Sequence, residues 1–257
     1  MVIFKSGRIL DLIAILACYI TYLLITNLAK KGRKLSLRRL PAFDALEELV
    51  GRATEMGRAV HFTGGVGSLE GVTAPQVISG LSIMDYISRL TAKNKTELIV
   101  TEQRVNVIPM VESILETNYK LEGVEVPPGT LRYIPSGYTY TIGVPALIRR
   151  ERPAACVLAG PFTHESVMLA QAAAEVGAMQ VAGTARTLQI PFFAIIADYC
   201  LIGEDLYAAG AYVGGTPETL GALVGEDPFK IISIILLILV GILATFNISW
   251  LTDLLGI

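Results

Sequence analysis

Charge, histidine, cysteine and tryptophan are all scarce in this chain. Of its 257 residues, 17% are Asp, Glu, Lys or Arg, and there are two histidines, three cysteines and one tryptophan. The odd cysteine count argues against a disulfide framework, and no Cys or His spacing matches a metal site. No phosphate-binding P-loop of the form G-x-x-x-x-G-K-[ST] is present, and no serine sits in a G-x-S-x-G elbow. Composition excludes a disordered or collagen-like chain. There is no internal repeat and no low-complexity tract.

What the chain has in excess is apolar residues, at 53%. Much of the excess lies in residues 9–28 and 231–250, each about 20 residues, the length of a helix that crosses a hydrocarbon core of about 30 Å. Outside them the hydrophobic share falls to roughly 48%, an ordinary globular value. The expected division is a first span at 1–29, a basic segment at 30–40, an α/β domain at 41–227, and a second span with a short tail at 228–257. Asp227 is expected to cap the second span, with Pro228 at its first helical position. A cleaved signal peptide is disfavoured, because Lys30, Lys31, Arg33, Lys34, Arg38 and Arg39 follow the first apolar run as a stop-transfer pattern. These six cations orient the chain, with the main domain cytoplasmic and both termini outside. Lys230 and Trp250 suit the two ends of the second span. The Asn247-Ile248-Ser249 sequon carries little weight beside it.

The net charge of −2 hides a split. Residues 40–228 carry about nine more acidic than basic side chains, so nucleic acid is not an expected partner. The basic segment suits contact with anionic membrane lipid.

Between the apolar runs, short apolar strands alternate with amphipathic helices. Strands are expected at 59–63, 97–101, 131–134, 155–159, 179–182 and 192–196. Helices are expected at 41–56, 75–93, 106–119, 142–151, 164–176 and 204–212. This alternation predicts an α/β fold: a doubly wound, mostly parallel, Rossmann-like sheet of about six strands, flanked by an N-terminal and a C-terminal transmembrane helix.

Ligands in such sheets bind at the carboxyl ends of the strands. Two loops there carry candidate residues. Thr63-Gly64-Gly65-Val66-Gly67-Ser68 follows the first strand, where bare backbone N–H groups can meet a phosphate. Glu102 ends the second strand, where dinucleotide folds place an acid for ribose hydroxyls. However, the third glycine of G-x-G-x-x-G is missing and the helix starts late, so a mobile surface loop is the plain alternative. The second loop, Gly160-Pro161-Phe162-Thr163-His164-Glu165-Ser166, opens a helix with Thr163 as its expected cap. His164 and Glu165 have acid–base chemistry, although capping alone also explains Thr163 and Glu165. Thr184 follows the fifth strand, and Asp198 is expected to end the sixth. His61 and His164 would approach each other if the first and fourth strands were neighbours, but a structural histidine is the competing reading and no metal is expected. Arg149-Arg150-Glu151-Arg152 reads either as an anion site or as a solvated helix end. Residues 207–212 are rich in small side chains and allow close helix packing, within the domain or between subunits.

Several segments together resemble a known family. They are residues 44–48, the run GRATEMGRAVHFT at 51–63, Gly80-Leu81-Ser82-Ile83, Arg150-Glu151-Arg152-Pro153-Ala154, Ala182-Gly183-Thr184-Ala185, Pro191-Phe192-Phe193 and Asp198-Tyr199-Cys200-Leu201-Ile202-Gly203-Glu204. They are similar to an uncharacterised family of prokaryotic integral membrane proteins, classed as a domain of unknown function, over about residues 37–247. The resemblance implies no activity, cofactor or catalytic residue.

These observations favour a non-enzymatic role: an oligomeric scaffold or ligand sensor at the inner face of a membrane, with a small anionic ligand as a possible partner. The alternatives are a nucleotide- or phosphometabolite-binding protein or enzyme, and a subunit of a transport or channel complex.

Overall fold

The computed structural model describes residues 9–31 and 40–245. Two compact units divide the chain: Arg38–Gly214, and the pair of segments Met1–Leu37 with Gly215–Ile257.

In the first unit, six parallel strands form one sheet: β1 (Val60–Thr63), β2 (Leu98–Glu102), β3 (Leu131–Tyr133), β4 (Ala155–Ala159), β5 (Met179–Thr184) and β6 (Tyr199–Ile202). Their order is β3-β2-β1-β4-β5-β6, so the winding direction reverses between β1 and β4. Strands β1, β2, β4 and β5 are buried at every residue, as strands covered on both faces must be. One face meets α2 (Pro41–Met56), α3 (Ala74–Asn94), α4 (Ile108–Leu121) and α8 (Glu204–Gly214) through Val60, Phe62, Val100 and Val157. The other meets α5 (Tyr138–Glu151) and α6 (Glu165–Glu175) through Cys156, Leu158 and Ala182. The expected doubly wound α/β fold is present, with every strand pairing parallel.

The sixth strand lies elsewhere than expected. Residues 192–196 belong to α7 (Ile190–Ile196), and β6 follows it. A five-residue apolar run does not distinguish strand from helix by periodicity. Only Phe193 of α7 is buried, where it meets Phe162 edge-on, so the helix rests on one ring. Asp198 therefore precedes β6 instead of ending it. It lies at the amino edge of the sheet, where Oδ2 accepts the Gln180 N–H at 2.7 Å.

That amino edge is held by Arg58. Its Nε donates to the Arg152 carbonyl at 2.6 Å, and its Nη2 to those of Pro153 and Val176 at 3.1 and 3.4 Å. Nearby, Arg149 pairs with Glu175, and Arg132 and Arg150 pair with Glu151. The arginine run is thus a paired, solvated helix end. The small-residue stretch of α8 packs within the unit: a Cβ on Gly210 would come within 3.0 Å of Ser79 on α3.

The second unit contains α1 (Ile9–Lys30) and α9 (Pro217–Thr245) packed on each other. Gly221 of α9 lies against Thr26, where a Cβ would meet its Cα at 2.8 Å. Lys30 and Glu218 form an ion pair at 2.8 Å. Thr216 opens α9 by accepting the Thr219 N–H at its hydroxyl, and Pro228 lies inside the helix. Asp227 therefore does not cap it; it pairs with Lys230 at 3.7 Å.

The expected membrane spans are corrected by this unit. Among the described residues, no helix is long and apolar enough to cross a membrane. In α9 the charged Glu218, Asp227 and Lys230 interrupt the apolar sequence. The two-span placement with a cytoplasmic domain and outer termini is thereby overturned. Lys5, Arg8, residues 32–39, the Asn247 sequon, Trp250 and Asp253 lie outside the described residues.

Helix α3 passes so close to the sheet that a Cβ on Gly80 would stand 2.3 Å from the Ala159 carbonyl oxygen. Gly80→Ala should therefore destabilise the α/β unit by about 2 kcal/mol, the cost of overpacking against rigid backbone. Urea unfolding followed by circular dichroism measures it, and an unchanged midpoint would contradict this packing.

Candidate functional site

Because all six strands are parallel, Thr63, Glu102, Gly160 and Thr184 reach the same edge. The loops after β1 and β4 meet at the reversal point, where open α/β sheets place ligands. Their glycines are explained by that meeting. A Cβ on Gly65 would lie 2.4 Å from the Pro161 carbonyl oxygen, and one on Gly160 would lie 2.1 Å from that of Gly64. The Val66 N–H donates to Pro161 O at 2.9 Å, and Gly67 faces the Pro161 ring. On the other side, Gln103 Nε2 donates to Gly65 O at 3.1 Å and Arg104 Nε to Val66 O at 3.0 Å. Asn106 Nδ2 reaches Ser68 Oγ at 2.9 Å. The glycine loop is thus stitched on both sides through Gly65 and Val66. Helix α3 begins only at Ala74, after a short 3-10 turn at Gly71–Thr73, so its N-terminus lies well along the chain from the glycines.

At the start of α6 the expected cap differs. The Thr163 side chain makes no capping bond to the helix; instead its N–H and hydroxyl both donate to Glu165, at 2.7 and 2.5 Å. Glu165, fully buried, thus takes up the Thr163 N–H and hydroxyl just ahead of the helix. Ser166 Oγ lies against Gln189 Oε1 and within 3.0 Å of Thr163 O.

The two histidines are not brought together. His61 is completely buried, with Nε2 at 3.0 Å from Thr101 Oγ1 and Nδ1 unpartnered. The His164 side chain is 72% exposed, with Nδ1 3.8 Å from Glu165. Although β1 and β4 are neighbours, His61 lies inside the sheet and His164 outside it. Among the described residues, no group of three or more His, Cys, Asp or Glu is arranged to hold a metal ion. Thr184 Oγ1 accepts the Arg186 N–H at 3.3 Å, closing the turn after β5.

Glu102 is the candidate whose surroundings stand out. It is 4% exposed. Its Oε1 accepts the N–H groups of Gln103 and Arg104 at 2.8 and 2.9 Å. Among the described residues its Oε2 shows no hydrogen-bond partner, and it points toward Gly64, within 3.5 Å of where a Cβ would stand. Burial pushes its pKa up to about 7, against the pull of the two N–H groups and of the Arg104 charge. Beside it lies Tyr140, which the sequence did not single out because the α5 helix was expected to start two residues later. Its hydroxyl donates to Thr63 Oγ1, which in turn donates to Thr101 O at 3.2 Å. Burial raises the Tyr140 pKa above the ordinary tyrosine range, and Glu102 and Glu165 add to the shift. Gln103 and Arg104 were also missed, and Pro161 was read only as a member of its loop. They act through backbone carbonyls and ring contact, which leave no motif in a sequence.

The chain belongs to a family described as a domain of unknown function, DUF6754, which matches residues 1–255. This agrees with the uncharacterised family that its sequence resembles. No curated protein and no solved structure matches it.

Two buried groups set opposite pH slopes on stability. His61, lowered to about 3 by burial and the Arg132 charge, contributes stability present above pH 6.5 and lost as pH falls toward 3, about 3 kcal/mol by pH 4. Glu102, raised to about 7, contributes stability present below pH 4.5 and lost as pH rises through 7, about 3 kcal/mol by pH 8. Glu102→Gln keeps the Oε1 acceptor and removes the charge. It should flatten the alkaline arm of a urea stability profile and leave the acid arm in place. A variant whose profile matches the parent at pH 8 would refute a buried Glu102 charge.

Proposed function

We propose that this member of the family is a ligand-sensing protein. Its small-molecule site is the carboxyl edge around Glu102, and its α1–α9 unit joins copies into an assembly. The observation that carries the reading is the open Oε2 of an otherwise buried carboxylate at the strand reversal. An acceptor held in place by two backbone N–H groups, with its second oxygen unpartnered, is prepared for a hydrogen-bond donor. Burial of the rest of the group makes an unmet oxygen costly, so a matching donor gains more there than at the surface.

Binding is favoured over catalysis because the hydroxyls of this edge are already engaged. Thr163 donates to Glu165, Thr63 donates to a backbone carbonyl, and Ser166 lies between two acceptors. The Thr163 hydroxyl does lie 3.4 Å from His164 Nδ1, but its proton goes to Glu165 at 2.5 Å, so the imidazole does not activate it as a nucleophile's base would. The assembly rests on the apolar side chains that α1 and α9 leave uncovered, among them Ile15, Ile20, Leu24, Ile234, Leu237 and Ile238, each more than half exposed. Patches of this kind mark contact surfaces, and further copies of the same helices would cover them.

A thermal-shift screen of full-length protein against sugars, polyols, nucleosides and amines tests the ligand reading. At least one class should raise the melting temperature, and Glu102→Gln should abolish the rise. A screen with no Glu102-dependent hit defeats it. Light scattering tests the assembly, with a mass that is a multiple of 27.6 kDa expected; a monomer across the micromolar range defeats it.

A further inference from the structure

The surroundings of the Glu102 carboxylate also specify the chemistry of its ligand, an inference that rests on the site reading above. Tyr133 pairs in register with Glu102 across β2 and β3. Register partners in a parallel pair project from the same face about 5 Å apart. The Tyr133 ring, half exposed at the sheet's edge strand, therefore stands on the β3 side of Glu102, while Oε2 is turned to the β1 side, toward Gly64. Other apolar side chains stand out on the same edge. Val105, three residues beyond Glu102, is 68% exposed, and Tyr138, at the start of α5, is 83% exposed. Val72, between β1 and α3, is 92% exposed. All of them stand on segments that leave the carboxyl ends of the strands, so this edge carries exposed apolar side chains as well as one acceptor.

Two backbone N–H groups that could hold phosphate are already used. The Val66 N–H is held by Pro161 and the Thr163 N–H by Glu165. Glu102 and Glu165 place two buried carboxylates at this edge, which opposes a further dianion. Oxygen Oε2 asks for a donor, Tyr133 offers a ring face, and Glu165 already takes the Thr163 N–H and hydroxyl.

We propose that the Glu102 edge binds a flat aromatic heterocycle carrying N–H or O–H donors, of the nucleobase or nucleoside class, and prefers it to its phosphorylated form. The ring lies against Tyr133, and a donor reaches Glu102 Oε2. Stacking on an aromatic side chain tolerates the identity of the base, because every base has a π face. Selectivity among bases then comes from which donor reaches the carboxylate.

Isothermal titration of full-length protein with adenosine, guanosine, cytidine and uridine, with AMP, and with ribose 5-phosphate decides the matter. At least one nucleoside should bind. Tyr133→Ala should weaken it at least tenfold with an unchanged melting temperature, since this ring lies at a half-exposed edge. Tyr133→Phe should retain binding, which separates loss of the ring face from loss of the hydroxyl. Glu102→Gln, which places a donor against a donor, should also weaken it at least tenfold. Tighter binding of AMP than of adenosine overturns the preference for an unphosphorylated ligand. Binding of ribose 5-phosphate that depends on Glu102 but not on Tyr133 keeps the site and overturns the aromatic class. No binding of any probe overturns the ligand class, while the broader screen of sugars, polyols and amines still decides whether Glu102 is a site.

Discussion

The structure depends on one close approach. Where the strand order turns around between β1 and β4, the chain leaving each strand must pass the other within contact distance. Gly64 and Gly160 make that passage possible, because the carbonyl of one occupies the space a side chain on the other would need. Gly160 also donates its N–H to Gly183 at 3.0 Å, which ties β4's exit to β5. From this contact follow the stitched glycine loop, the position of Pro161 and the burial of Phe162. The same meeting of loops engages the Val66 N–H, which donates to Pro161 O at 2.9 Å. A glycine run that looks like a phosphate cradle in the sequence thus has a packing reason of its own, the passage of one loop over the other.

The polar groups at the carboxyl edge are arranged by face. Thr63, Thr101 and Tyr140 lie with His61 on the α5 side and satisfy one another almost completely. Glu102 lies on the α3 and α4 side, in register with Tyr133. On one side a closed network specifies packing; on the other an acceptor is left open. Buried polar clusters that are fully bonded rigidify a core, whereas a partly bonded one marks where something else is to be added. This contrast, more than any motif, distinguishes the candidate ligand position from the polar residues around it.

Much of this architecture was legible in the sequence. The alternation of strands and helices gave five of the six strands, because strands buried on both faces are nearly all apolar and their helices carry apolar stripes. The sixth failed at residues 192–196, where Pro191 starts a helix and a single ring, Phe193, anchors it. That error also carried Asp198 to the wrong edge. The position of Glu102 was readable from the strand it ends, but its burial was not, since that depends on loops supplied by β1. Thr163 looked like a helix cap; the structure turns its hydroxyl toward Glu165 instead, two residues ahead. The apolar runs at the two chain ends suggested membrane spans by length. Among the described residues, however, no helix is long and apolar enough to cross a membrane, and charges interrupt α9.

The amino edge of the sheet has the opposite character. Arg58 gathers the carbonyls of Arg152, Pro153 and Val176 onto one guanidinium. Arg152 adopts a left-handed backbone, with φ of 50°, as it turns out of α5 toward β4. One side chain thereby joins the ends of two helices to the entrance of β1. The base of the sheet is thus cross-tied through a single guanidinium, so chain turns more than a hundred residues apart in sequence share one fastening.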